Sequence, residues 1–384
     1  MRNYFGEDQK IRFLFPIDGD CINSNDGRGS GDCIRIPVRV EAPQGHAVEV
    51  NGIAARYETG CYRTYADVAS GEVTLEARDL SDGTVQSIKV FRLPDVMGGY
   101  RLSSDDNIIF LWDINEHRDE YKSIFENPYL AVYKKAHDLY GAKVHINLFY
   151  EFDEEARACF SKERPYFNLS MMTDRFKDEF RANSDWLKLS FHAQSEFPPA
   201  PYRHADYETV RRDCERVHAE IRRFAGEETL SKCTTVHFGE ANEEGARALY
   251  DLGYRALTGY FIPDEFSVAY YAKGALLEHI YERDFWYDTE IGVLFGRIDL
   301  VLNCNTHREN LETIREIMAS PTRGGFVSVM IHEQYFYSDY MNHRPDFEAR
   351  VLEACKLIAE SGYVGKHITK VFLSLKHYCC KIAR

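Results

Sequence analysis

The sequence predicts an α/β protein in two parts: a smaller all-β, immunoglobulin-like sandwich over residues 1–98 and a seven-stranded, distorted TIM-like β/α barrel over residues 99–384. Three observations lead to this reading. The first hundred residues carry short β-rich runs separated by turn residues every 8 to 12 positions, the pattern of an antiparallel sandwich. From about residue 100 the grammar changes to apolar run, amphipathic helix, apolar run. Between them PDVMGG, at 94–99, breaks both periodicities with a proline and paired glycines, as a linker does.

In the first region the runs IRFLFPI, DCIRIPVRVEA, HAVEVNGIAARYE, CYRTYADV, GEVTLEARD and VQSIKVFRL are the strands. DGD, NSNDGRGSGD, APQG, ASG and LSDG are the turns. The stretch DGDCINSNDG, at 18–27, has calcium-like Asp/Asn spacing but lacks the glutamate that closes such a loop, so it reads as a polar loop.

In the second region IIFLWDI, AKVHINLFYEF, WLKLSFHA, CTTVHFGE, YRALTGYF, IDLVLN and GFVSVMIHE read as buried strands. Helical patterns such as YLAVYKKAHDLYG, YETVRRDCERVHAEIRRFAG and PDFEARVLEACKLIAESG follow most of them. Continuous rather than alternating hydrophobicity implies a parallel sheet covered by helices. Closed into a barrel, such a sheet presents its functional residues at the strand C-termini. The polar residues at those ends are Asp113, Asn115, Glu116 and His117; Glu151 and Asp153; His192, Gln194 and Glu196; His237 and Glu240; Asn303, Asn305 and His307; and His332, Glu333 and Gln334. Three of the seven runs deliver a histidine near their end.

Composition narrows the function. With 47 Lys+Arg against 61 Asp+Glu the net charge is -14, and the basic residues form nothing longer than pairs such as Arg211-Arg212, so nucleic acid is not an expected partner. A hydrophobic fraction of 44%, with 25 Tyr and 24 Phe, belongs to a chain that folds completely. No run approaches the 18 apolar residues of a membrane span and MRNYFGEDQK is not of signal-peptide type, so a cytoplasmic protein without membrane contact is expected. Ten cysteines (21, 33, 61, 159, 214, 233, 304, 355, 379 and 380) show no CxxC and read as reduced thiols. Homo-oligomerisation stays open.

The stretch LSFHAQSEFP, 189–198, runs an apolar strand into His192 and then, four residues on, Glu196. Imidazole nitrogen and carboxylate oxygen at a strand-to-turn junction can approach one zinc ion. The parts around it come in a telling order: WDIN after the first run, YGAKVHINLF, His192 with its carboxylate, then ALYDLGYRALTGY with Leu252-Gly253-Tyr254-Arg255. Together they resemble the polysaccharide deacetylase family with its NodB-type homology domain, over roughly residues 105–335.

That resemblance implies a metal-dependent hydrolase acting on an acylated carbohydrate. It puts Asp113 in the place of the catalytic base, His332 in that of the late histidine acting as general acid, and Asn115, His192 and Glu196 in the metal positions. Asn115 and Glu196 stand where the family keeps an aspartate and a second histidine, and both retain oxygen donors. Zinc is the first expectation for the divalent ion, with manganese and magnesium as harder alternatives. If Asp113 is itself a ligand, Glu240 or Glu333 becomes the base. His237, Glu240, Trp286, Glu333 and Tyr335 are expected on the substrate, with Phe285, Tyr287, Phe336 and Tyr337 as further rings of a sugar-stacking cleft or of ordinary core. Two other readings remain: an inactive, glycan-binding barrel, and a glycosidase using paired carboxylates such as Asp113 and Glu240.

Overall fold

The computed structural model describes residues 9–29, 33–93, 97–263 and 269–368. Pro94 to Val96 of the expected linker and Cys379 and Cys380 fall outside the described residues. The chain is an α/β protein, all-β first and then mixed.

Eight strands make the N-terminal part: β1 Arg12–Phe15, β2 Cys21–Ile22, β3 Cys33–Glu41, β4 Val48–Val50, β5 Ile53–Glu58, β6 Cys61–Ala69, β7 Gly71–Asp79 and β8 Val85–Arg92. They hydrogen-bond in the order β1-β3-β6-β5-β4-β7-β8-β2. Strand β3 shows why: Ile34, Ile36, Val38 and Val40 are buried while the residues between them are exposed, the period of two that the sequence displays. Those side chains meet Ala66 and Val68 of β6, Leu75 and Ala77 of β7, and Ile88 and Val90 of β8 in one core. Each buried Val or Ile there stabilises by about 1.5–3 kcal/mol. Asn51-Gly52, with φ of 48° and 77°, makes the tight β4–β5 turn whose twist matches the strands it joins.

The second part begins with β9 Gly99–Asn107, α1 Ile109–Glu116, α2 Pro128–Tyr140, β10 Val144–Phe149, β11 Glu151–Phe152, α3 Glu154–Arg157, β12 Phe167–Asn168 and α4 Lys177–Ala182. It continues with β13 Leu187–Ala193, α5 Tyr207–Phe224, β14 Cys233–Thr234, α6 Glu243–Asp251, β15 Ala256–Gly259, α7 Ala275–Tyr281, β16 Phe285–Asp288 and β17 Val293–Arg297. The last elements are β18 Leu300–Val301, α8 His307–Ala319, β19 Phe326–His332, α9 Phe347–Glu360 and β20 Val364–Gly365. Local chemistry marks the helix ends. Asn127 accepts the Leu130 amide ahead of Pro128, Gly141 closes α2 at φ 68°, and Thr306 with Glu309 forms a capping box for α8.

A parallel sheet runs β13-β10-β9-β19-β18 with β20 added beside β9, and a second sheet runs β14-β15-β17-β16 with only β16 antiparallel. Backbone bonds join their edges: the Ser231 amide donates to Leu189 at 2.8 Å, Ile298 to Gly259 at 2.7 Å and Asp299 to Ser328 at 2.8 Å. The parallel strands therefore curl, and their C-terminal ends gather on one side. The loop at 18–27 docks against the second part, with Asp20 beside His279 at 2.5 Å and Asp26 paired with Arg283.

The first strand of this sheet is not the one expected. IIFLWDI is the buried helix α1, and the strand is the preceding GYRLSSDDN. The helix is fixed by a contact 225 residues away: the Glu333 carboxylate accepts the amides of Ile108, Ile109 and Phe110 at 2.7, 2.9 and 2.6 Å. Three of the donors that a helix start leaves open are satisfied at once. Two other runs are shorter than expected. CTTVHFGE is a strand only at Cys233–Thr234 before a tight turn at His237–Gly239, and IDLVLN only at Leu300–Val301.

Candidate metal centre

The sheet puts polar side chains inside the curl. Along β9 Arg101 and Ser103 are buried, with Arg101 Nη1 donating to Ser328 across the interior at 3.3 Å, and Asp105 follows in the same alternation. Asn147 of β10 donates from Nδ2 to Asp105 at 2.5 Å and accepts from Ser190 of β13. At the strand end Asp106 adopts φ 61°, a left-handed conformation that costs a residue with a side chain about 1 kcal/mol or more. Phe238, also at φ 61°, stands beside His237.

Asp106, His192 and His237 converge. Asp106 Oδ1 lies 3.0 Å from His192 Nε2 and 3.4 Å from His237 Nδ1, and those two nitrogens are 3.2 Å apart. The far side of each ring is bound to a backbone carbonyl: His192 Nδ1 to Thr235 at 2.5 Å and His237 Nε2 to Glu196 at 2.9 Å. In the neutral rings those carbonyls fix the tautomers and leave the facing nitrogens with lone pairs, as the outer hydrogen bond of a metal-ligating histidine does. Bonds of 2.0–2.2 Å to one tetrahedral ion place donors about 3.3 Å apart. The observed triangle has that size, and all three residues are buried.

The three side chains also shift one another's charge. Burial would raise the Asp106 carboxyl, but His332, His192 and His237 around it hold it well below the usual carboxylate range. Burial lowers His192, but its bond to Asp106 and the charge of Asp105 outweigh this and raise it. Gln334 donates to Asp106 Oδ2 at 2.8 Å. His332 stands opposite, its Nε2 3.8 Å from Asp106 Oδ2 and its Nδ1 on Asn303 Oδ1 at 3.0 Å.

Above the triangle lies an open cleft of about 530 Å³ whose walls include Asp105, Glu196, Tyr260, His332, Tyr335 and Tyr340. Beside it a smaller pocket of about 140 Å³ shares Asp106, Glu196, Gln334 and Tyr340 with the cleft and is otherwise mostly apolar, with Ile108, Ile109, Phe149, Phe152, Phe160 and Phe197.

Several residues expected at the site stand elsewhere. Asp113 is on helix α1, where its carboxylate accepts from Asn127 Nδ2 at 2.7 Å and the Tyr121 hydroxyl at 3.0 Å. Asn115, on the same helix, accepts the Thr173 amide at 2.9 Å. Both follow from the helix replacing the strand on which they were placed. Glu196 lines the cleft, but its carboxylate lies 4.0 Å from His237 Nε2, the nitrogen turned away from the triangle. Burial first, and then the Asp106 and Asp153 carboxylates, push the Glu196 carboxyl well above its ordinary value.

Glu333 is fully buried as the cap of α1, with burial pushing it up to about 7 against the bonds it accepts. Glu240 pairs with Arg203. Trp286 is buried against Phe295, its Nε1 donating to the Asp18 carbonyl at 2.9 Å. His192, His332 and Tyr335 do meet at the cleft, and His237, expected on the substrate, faces His192 and Asp106 instead. The sequence reading missed Asp105 and Asp106; the paired acids closing GYRLSSDD, followed by an apolar helix, were the signal available.

No protein-family model matches the chain, and no curated protein matches it in sequence. Among solved structures it is similar to a peptidoglycan N-acetylglucosamine deacetylase, at 9% identity over 70% of this chain and 86% of that one, with a TM-score of 0.33. It is also similar to a carbohydrate deacetylase, at 10% identity over 98% of this chain and 73% of that one, with a TM-score of 0.41. A putative alpha-galactosidase from Bacteroides fragilis follows at 11% identity over 94% and 80%, with a TM-score of 0.24. At such scores the functional reading rests on the site's own geometry.

Proposed function

We propose that the chain is a metal-dependent hydrolase that removes an acyl group from a carbohydrate or related small molecule. The observation that carries the reading is the buried triangle of Asp106 Oδ1, His192 Nε2 and His237 Nδ1, with edges of 3.0 to 3.4 Å, at the floor of an open cleft. Those three residues would hold a divalent ion, zinc suiting two imidazoles and a carboxylate. Such an ion supplies Lewis-acid polarisation of a carbonyl and a lowered pKa for water.

The chain's own residues supply the rest. Asp105, held by Asn147 at one wall of the cleft, is placed to take the proton of the attacking water. His332, its Nδ1 held by Asn303 and its Nε2 turned toward Asp106 and the cleft, would protonate the departing amine or alkoxide as the C–N or C–O bond breaks. The apolar side pocket beside Asp106 suits the hydrocarbon end of the acyl group, and Tyr335 and Tyr340 offer rings to a sugar face. In the same reading residues 99–384 form a seven-staved barrel and residues 1–98 an accessory sandwich.

The test is acid release from a panel of N- and O-acetylated sugars by zinc- or manganese-loaded protein, with Asp105→Asn, His237→Ala and His332→Gln alongside. The proposal requires release by the wild type and a loss of about 10²-fold or more in each variant. A metal-loaded wild type that releases acid from none of the panel, or a His237→Ala variant of undiminished rate, refutes it.

A further inference from the structure

The outer face of the N-terminal sheet carries an arrangement that stability alone does not explain. Arg63 of β6 sits directly opposite Arg39 of β3 on one side and Arg56 of β5 on the other. Like charges in directly opposed cross-strand positions destabilise a sheet. Here three arginine positions stand in one row across three strands, spanning about 10 Å of backbone at about 4.8 Å per strand. All three residues are exposed.

Among the described residues no carboxylate oxygen comes within 4.0 Å of any of the three guanidinium groups. The Arg63 side chain donates to the Glu58 carbonyl, at 3.4 Å, and Arg39 lies over the Phe15 ring at 5.9 Å. The row continues into Phe15, which pairs with Arg39 in register. Tyr65, 54% exposed, lies beside it, with Arg35 at 5.6 Å from its ring. Together Phe15, Pro37, Arg39, Arg56, Arg63 and Tyr65 line a broad trough of about 780 Å³, with Glu58 at its edge.

We propose that this trough binds an acidic polysaccharide, a chain of sugars bearing carboxylates, through the arginine row. Guanidinium groups take carboxylates in two-point fashion, and the flanking rings offer flat apolar faces to sugar rings. Double-stranded DNA is a poorer fit: at one charge per about 1.7 Å it carries more charge than three arginines neutralise, and the remainder is repelled by a chain of net charge -14. A glycan with isolated carboxylates places its charges singly against the row. The proposal is independent of the barrel's chemistry.

The experiment is affinity electrophoresis of the full chain through gels containing polygalacturonate, neutral dextran or double-stranded DNA, at low and high salt. The wild type is expected to be retarded by polygalacturonate alone, and less so as salt rises. Arg56→Gln with Arg63→Gln is expected to weaken retardation about five- to tenfold, with a melting temperature unchanged or raised because the repulsion is relieved. Arg63→Lys keeps the charge, loses the two-point geometry and falls in between. His192→Ala is expected to bind as the wild type does. No retardation by polygalacturonate, retardation untouched by the double variant, equal retardation by DNA, or loss of binding in His192→Ala overturns the proposal.

Discussion

Replacing His237 separates two versions of the metal site. The sequence pointed to Glu196 as a ligand, whereas the geometry points to His237. The distances decide what each replacement removes. His237 Nδ1 is 3.2 Å from His192 Nε2 and 3.4 Å from Asp106 Oδ1, inside the triangle, so His237→Ala takes away one of three donors. The Glu196 carboxylate is 4.0 Å from Nε2, on the outer side of the same ring, and the contact that holds the ring is the Glu196 backbone carbonyl, which Glu196→Gln keeps.

Structural zinc sites with four ligands bind with about 10–16 kcal/mol, or about 3 kcal/mol per ligand, so losing one donor lowers affinity by about 10²-fold. Glu196→Gln should change it by less than about threefold. Elemental analysis of the purified proteins, followed by zinc competition against a chromophoric chelator, reads both numbers. About one equivalent is expected in the wild type and in Glu196→Gln, and a large loss in His237→Ala, His192→Ala and Asp106→Asn. Zinc lost in Glu196→Gln but retained in His237→Ala would refute the assignment.

Three further outcomes follow from carboxylates outside the triangle. Glu333→Ala leaves three helix amides and the Tyr337 hydroxyl without their acceptor and should lower the unfolding free energy by about 3–5 kcal/mol in urea titration; a loss under 1 kcal/mol would mean that another group caps α1. Asp113→Ala removes the acceptor of Tyr121 and Asn127 and should cost about 1–2 kcal/mol of stability while leaving zinc affinity unchanged, a result opposite to the one a catalytic base would give. Asp284 is pushed up to about 7, by burial first and then by Asp299, from an ordinary value of 3.8. Between those values the folded carboxyl keeps a proton that the unfolded one has released, so its contribution to stability is whole below pH 4 and is lost as pH rises to about 7. The stability of Asp284→Asn relative to wild type should therefore gain about 2 kcal/mol between pH 5 and pH 7, and a constant difference would exclude the shift.

The sequence displays the N-terminal strands because they have one wet face and one dry one. Ile34 to Val40 alternate with the exposed Arg35, Pro37 and Arg39, and Asn51-Gly52 marks the turn between two of the strands. The strands of the second part are legible where one face carries an unbroken apolar row, as in β13, where Leu187, Leu189 and Phe191 of LKLSFHA alternate with residues that end in His192. Strand β9 defeats the same rule. Its interior-facing residues are Arg101, Ser103 and Asp105; Arg101 reaches Ser328 of β19 and Asp105 accepts from Asn147 of β10 inside the curl, so the strand is buried throughout without being hydrophobic. The apolar run beside it is a helix that packs on the sheet, and a short buried run carries no period that tells helix from strand.

That misplacement moved the carboxylates as well. With IIFLWDI taken as the strand, Asp113 became its terminal acid and Asp105 and Asp106 fell before it. His237 was legible as a histidine near the end of an apolar run, but its role depends on distant parts of the chain. The strand stops at Thr234, Phe238 turns the backbone left-handed, and the Glu196 carbonyl, 41 residues away, fixes which ring nitrogen is free. The same holds for His192, whose tautomer is set by Thr235. A ligand set read from spacing alone counts residues that can reach an ion; the second bond of each ring decides which of them offers a lone pair. Glu196 has the sequence spacing of a ligand and His237 has the bonded ring, so zinc retention in Glu196→Gln is the outcome that distinguishes spacing from geometry at this site.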